Sequence, residues 1–86
     1  MAKVLTLRVV TNDGQGLTED VTSVRVPGEA GSLGVLYNHA PLVTTIVSGK
    51  LLWRTPGGEQ HAARIGSGLM EVAKNTITVL TEYLAQ

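Results

Sequence analysis

Two histidines, His39 and His61, are the side chains best suited to bind a metal or move a proton near neutral pH. Neither has an aspartate or glutamate at ligand spacing, and a zinc site needs three or four ligands, so no metal centre is expected. Ser48 and Ser67 are the serines to weigh as nucleophiles. Neither stands in the Gly-x-Ser-x-Gly setting that presents a hydroxyl on a strained turn, and Gly66-Ser67-Gly68 reads as a tight bend. A Ser-His-acid triad assembles from residues distant in sequence, so spacing alone leaves it open. Gly28, Gly31 and Gly34 invite comparison with a phosphate cradle. Their spacing fits neither the dinucleotide fingerprint nor the P-loop, and no helix follows to aim its N-terminus at an anion. They read as the glycines of a turning loop. With no cysteine in the chain, disulfides, thiolate metal sites and cysteine nucleophiles drop out together. Catalytic, cofactor-binding and metal-ligating residues are therefore all expected to be none.

One lysine keeps a chemical alternative alive. Lys74 lies between Leu69-Met70-Glu71-Val72 and Thr76-Ile77-Thr78-Val79, at the tip of an expected hairpin. Lipoyl and biotinyl carrier domains are all-β sandwiches of this size with an acylated lysine at such a tip. Here Lys74 lacks the flanking methionine or acid that the modifying ligases read, and the plainer reading is a solvated turn residue.

The elements that position these residues are strands. The chain has 86 residues, too few for a second domain, so residues 1–86 are expected to form one. A chain of this length buries only roughly 60–65% of its unfolded surface, which leaves a thin core. Apolar residues recur with period two: Leu5, Leu7 and Val9 share one face, Val24 and Val26 another. Val21 to Val26 reads as one strand ended by Pro27-Gly28, followed by a glycine-punctuated loop through Gly34, a short Val35-Leu36-Tyr37 strand and a bend at Asn38-His39-Ala40-Pro41. Leu42 to Val47 is rich in β-branched residues. Pro56-Gly57-Gly58 and Ala73-Lys74-Asn75 mark two hairpins. Ten glycines and three prolines interrupt every stretch before it reaches helical length. The expected fold is all-β: a small sandwich of two antiparallel sheets with about ten short strands.

Charge narrows the partners. Seven basic and seven acidic side chains are scattered along the chain, giving a net charge of zero and no basic stripe to follow a nucleic-acid backbone. No stretch approaches the ~20 consecutive apolar residues of a membrane span, and the start of the chain lacks the apolar run of a signal peptide. Only 16% of residues are charged, low for a free-standing soluble surface, so part of it is expected to be covered.

The run Val26-Pro27-Gly28-Glu29-Ala30-Gly31-Ser32-Leu33-Gly34-Val35-Leu36, followed by His39-Ala40-Pro41-Leu42-Val43, resembles the epsilon subunit of the F-type, proton-translocating ATP synthase. Gly66-Ser67-Gly68-Leu69-Met70-Glu71-Val72 and Asn75-Thr76-Ile77-Thr78-Val79-Leu80 continue the resemblance, which runs from Leu5 to Leu80. It implies a non-catalytic rotor subunit of the central stalk that binds the gamma subunit and the c-ring, with alpha and beta as indirect partners, and couples proton translocation to ATP synthesis. It also implies a peripheral position on the cytoplasmic face of a bacterial plasma membrane. Carried over by residue, Gly28, Glu29, Ala30, Gly31, Ser32 and Leu33 match the c-ring end, with Leu33 as an apolar anchor; Thr11, His39 and Thr44 match the gamma side. His39 also has a plainer reading, bracing the Ala40-Pro41 bend, and Glu71 reads as an outward strand residue. The chain departs from the family pattern at Leu17, often aromatic, and at Ser32, often acidic. It stops at Gln86, where family members usually continue into a regulatory helical hairpin.

Overall fold

A computed structural model describes residues 3–14 and 16–86. The reading of the N-terminus lies, for Met1 and Ala2, outside the described residues. Among the described residues ten strands follow one another: β1 (Leu5–Thr11), β2 (Gly16–Val21), β3 (Ser23–Gly28), β4 (Gly31–Leu36), β5 (Leu42–Ile46), β6 (Gly49–Arg54), β7 (Gln60–Ile65), β8 (Gly68–Ala73), β9 (Thr76–Thr81) and β10 (Leu84–Ala85). Among the described residues there is no helix.

Hydrogen bonding orders the strands β10-β7-β6-β3-β5-β8-β9-β1-β2, with β4 also on β3. The path pinches at one place, where β3 and β5 share the single pair Gly28–Ile46. The Val47 amide supports that corner by donating to the Pro27 carbonyl at 2.9 Å. On either side of the corner lie two layers: a first sheet of β10, β7, β6, β3 and β4, and a second of β5, β8, β9, β1 and β2. The all-β reading and the ten short strands stand as expected. Two sheets joined by hydrogen bonds at a corner make a nearly closed, barrel-like sandwich, and closure reduces the exposed strand edge. One pairing differs from the antiparallel expectation: β1 and β9 run parallel, with Thr6 opposite Thr76 and Thr11 opposite Thr81. Such a pair needs a long crossover connection, and the seven intervening strands supply it.

The core lies between the sheets. Leu5, Leu7 and Val9 of β1, Val24 and Val26 of β3, Leu51 and Trp53 of β6, Ile65, Met70, Val72, Ile77 and Val79 are all buried. With no phenylalanine, the layer is filled by branched aliphatic side chains whose stiff rotamers suit a pleated surface.

Two strand boundaries differ from the sequence reading. Val21 to Val26 is not one strand: Thr22 separates β2 from β3. Val21 and Val24 are both buried, and positions three apart cannot share one face of a period-two strand, so the chain breaks and crosses between sheets. The glycine-punctuated segment is likewise no open loop. Gly31 to Leu36 forms β4, which pairs with β3 from Ser23–Leu36 to Gly28–Gly31. Glu29 and Ala30 are then the whole turn, and Gly31 closes it at φ +126°, a conformation side chains resist.

Candidate partner-binding surfaces

The residues first weighed for chemistry serve local structure. The His39 Nδ1 lies 2.7 Å from the Ala40 carbonyl, the brace across the Ala40-Pro41 bend. His61 stacks on Trp53 with ring centroids 5.7 Å apart, leaving its other face to solvent. Its Nε2 sits 3.8 Å from Glu59 Oε1, a carboxylate neighbour that the spacing argument had set aside. One acid and one imidazole fall short of a metal site, and no group of three or more such ligands occurs among the described residues. Ser67 Oγ donates to Glu82 Oε1 at 3.4 Å within the bend. Lys74 stands at the tip of the β8–β9 hairpin with φ +52°, followed by Asn75 at +59°. The Asn75 Oδ1 accepts the Asn38 amide at 2.7 Å, tying this turn to the one before β5.

The six residues matched to the c-ring end all lie on the β3–β4 hairpin. Glu29, Ala30, Gly31 and Ser32 are exposed around the β3–β4 turn. Thr45 Oγ1 donates to Glu29 Oε1 at 3.0 Å, and Arg25 Nη1 donates to Ser32 Oγ at 3.0 Å, so both polar side chains are held in place. Gly28 is half-buried, and a Cβ there would meet the Gly31 carbonyl oxygen at 2.8 Å. Leu33 turns the other way. It is half-buried and packs partly against the core, because it alternates with outward Ser32 and Gly34.

The three residues matched to the gamma side are less uniform. Thr11 is 6% exposed and donates its hydroxyl hydrogen to Asp13 Oδ1 at 2.5 Å. Thr44 is half-buried on β5, and His39 is half-buried in the β4–β5 connection. Thr11 and Thr44 occupy positions of inward parity, whereas their neighbours Val10, Val43 and Thr45 are exposed. Those neighbours belong to a patch that sequence reasoning missed. On the outer face of the second sheet Val10 lies opposite Leu80, and Leu80 opposite Leu69. Val43, 67% exposed, completes the set beside Leu69 and Leu80 around a hollow of 220 Å³. Each of these residues looks ordinary in an apolar strand; the signal is that they follow the outward parity, where polar residues are expected.

The described residues thus form an all-β sandwich with a braced His39 and an apolar patch on one outer sheet face. Residues 4–85 match the model of the ATP synthase delta/epsilon chain β-sandwich domain, and the chain belongs to that family. It is 40% identical over 78 residues to the ATP synthase epsilon chain of an Anaeromyxobacter species, covering 91% of this chain and 58% of that one. It is 38% identical over 82 residues to that of Desulfosudis oleivorans, covering 95% and 62%. The chain thus spans about three fifths of the length of these relatives. The fold also matches chains in solved assemblies. One is from the Euglena gracilis mitochondrial ATP synthase OSCP/F1/c-ring structure, with TM-score 0.89 and 21% identity over 96% of this chain and 53% of that one. Another is from the Tetrahymena thermophila mitochondrial ATP synthase central stalk and c-ring, with TM-score 0.77 and 13% identity over 93% and 64%. Family membership removes the ground for reading Lys74 as an acylated carrier lysine.

Proposed function

We propose that the chain is the sandwich of a central-stalk rotor subunit that performs no catalysis itself and couples proton translocation to ATP synthesis by holding two partners together. The gamma subunit packs on the outer face of the second sheet, and the c-ring takes the β3–β4 turn. The observation that carries this reading is the contiguous apolar patch of Val10, Leu69, Leu80 and Val43 on an outward sheet face. A patch of this kind on a small domain marks an interface, since burial there recovers the hydrophobic free energy that exposure forfeits. Similarity to relatives named as ATP synthase epsilon chains supports this assembly. A sandwich joined at its corner by backbone hydrogen bonds suits torque transmission, because a softer element stores twist instead of passing it on.

In this arrangement Glu29, Ala30, Gly31 and Ser32 present a shallow polar tip to the loops of the ring. Thr11, Thr44 and His39 support the gamma face from beneath or beside it, and the outward apolar residues make the contact. Co-purification with the gamma subunit tests the assignment. Leu80→Glu places a charge in the middle of the patch and is expected to weaken gamma binding at least tenfold while the far-UV circular dichroism stays that of the parent. Undiminished gamma binding by a folded Leu80→Glu chain would move the interface elsewhere.

A further inference from the structure

The seven basic and seven acidic side chains cancel in sum but not in space. Arg25 on β3, Lys50 and Arg54 on β6, and Arg64 on β7 are all exposed at outward positions of the first sheet. The strands β3, β4, β6, β7 and β10 contain no acidic residue at all. More than half of the chain's basic side chains therefore share one face with no strand carboxylate among them.

Among the described residues no carboxylate pairs with these cations. Among the described residues the one ion pair is His61 with Glu59, which involves none of the four. Arg25 donates to the neutral Ser32 Oγ; Arg54 donates to the Gly58 carbonyl and to Gln60 Oε1, each at 3.2 Å. Lys50 lies directly opposite Arg64 in the β6–β7 ladder. Like charges in that position destabilise a sheet, so the pair costs stability.

The surface between the arginines is concave and mixes polar with apolar groups. Cross-strand rows run Gly34–Arg25–Leu52–Ala62 and Leu36–Ser23–Arg54–Gln60. They enclose a hollow of 320 Å³ lined by Arg25, Arg54, Gly34, Leu36 and Leu52, with Leu36 63% exposed. Arg25 lies beside Gly34, close enough that a Cβ there would stand in ordinary contact with Nη2, at 3.6 Å.

We propose that this face docks an acidic polypeptide segment, whose apolar side chains enter the hollow and whose carboxylates meet Arg25, Arg54, Lys50 and Arg64. Guanidinium groups suit carboxylates because their planar forks donate two parallel hydrogen bonds. Leu36 and Leu52 in the hollow's lining favour a polypeptide, which can bring apolar side chains beside its carboxylates, over bare phosphates. A single-stranded nucleic acid would want aromatic platforms for its bases, and Trp53 is buried beneath this sheet. The face lies on the opposite side of the sandwich from the Val10–Leu80–Leu69 patch, so the segment and a partner on that patch bind without competition.

The test is an NMR titration of the isotope-labelled chain with a synthetic peptide of Glu-Glu-Leu repeats, beside a Gln-Gln-Leu control. Saturable amide shifts confined to residues 23–36 and 50–64 are expected with the acidic peptide, weakening as salt is raised. Arg25→Gln with Arg54→Gln should reduce the affinity at least tenfold while the spectrum remains dispersed. Lys50→Glu should also weaken peptide binding, yet raise the melting temperature by replacing a repulsive cross-strand pair with an attractive one. Equal binding of the control peptide, shifts outside this face, or undiminished binding by these variants would overturn the proposal. So would tighter binding to phosphatidylglycerol vesicles or to a single-stranded oligonucleotide than to the peptide.

Discussion

Gly68 and Gly57 differ by what surrounds the missing side chain. A Cβ on Gly68 would collide with the backbone carbonyl of Leu80 on the neighbouring strand, whereas one on Gly57 would meet only Thr55 Oγ1, at 3.8 Å. Gly68 thus permits the close approach of β8 and β9 where the Gly66-Ser67-Gly68 bend enters the sheet, a position at which Thr81 Oγ1 donates to the Gly66 carbonyl at 2.7 Å. Overpacking against backbone cannot relax by a rotamer change, so Gly68→Ala should cost about 1–3 kcal/mol. Gly57→Ala, in open space without positive φ, should be neutral or stabilising by about 0.4–1 kcal/mol through the unfolded chain. Urea denaturation followed by the fluorescence of Trp53, the single tryptophan, compares the two. Equal effects would refute the close-approach argument. The glycines and their turns were legible in the sequence; which of them bears on a carbonyl depends on strand register.

The β8–β9 hairpin poses its question at the scale of an element. Its two-residue turn places both Lys74 and Asn75 at positive φ, matching a right-handed strand twist. Asn75 is suited to that conformation and uses its side chain to hold Asn38, whose own φ is +63°. Lys74 has no such compensation and carries left-handed strain, put at roughly 1–2 kcal/mol for an ordinary residue. Asparagine visits this region more easily, so Lys74→Asn is expected to stabilise the chain by up to about 1 kcal/mol. Thermal denaturation is the measurement, and a lower melting temperature for Lys74→Asn would contradict it. The hairpin itself was readable from Ala73-Lys74-Asn75 between β-branched runs. The β3–β4 hairpin was not, because its glycines signal a loop as readily as a turn, and only pairing of Val26 with Leu33 distinguishes them.

For the whole molecule, stability rests on one thin aliphatic layer. A stability of roughly 0.05–0.15 kcal/mol per residue is ordinary, so a chain of 86 residues has little to lose. Leu51 is fully buried at the centre of the first sheet. Leu51→Ala should remove about 2–5 kcal/mol, enough to leave a large unfolded fraction at 37 °C. Thr18→Ala, exposed on the edge strand β2, should stay within about 0.5 kcal/mol of the parent. Urea midpoints separate the two, and a small effect of Leu51→Ala would mean that the sheets are held chiefly by their hydrogen-bonded corner.

Period-two alternation by itself determined the all-β class and the inward residues Leu5, Leu7, Val9, Val24 and Val26, because a side chain's face is fixed by its position within its own strand. The family too was written in the chain, in the turn chemistry of Pro27 to Gly34 and His39 to Val43. Tertiary structure decided which outward residues become neighbours. Val10, Leu69 and Leu80 are far apart in sequence and meet only through the β1–β9 and β8–β9 pairings. Arg25, Lys50, Arg54 and Arg64 look scattered until β3, β6 and β7 align them. Parity is a local property that one strand carries alone, whereas a surface patch is a property of register between strands, and register is set only when the sheets close over their core.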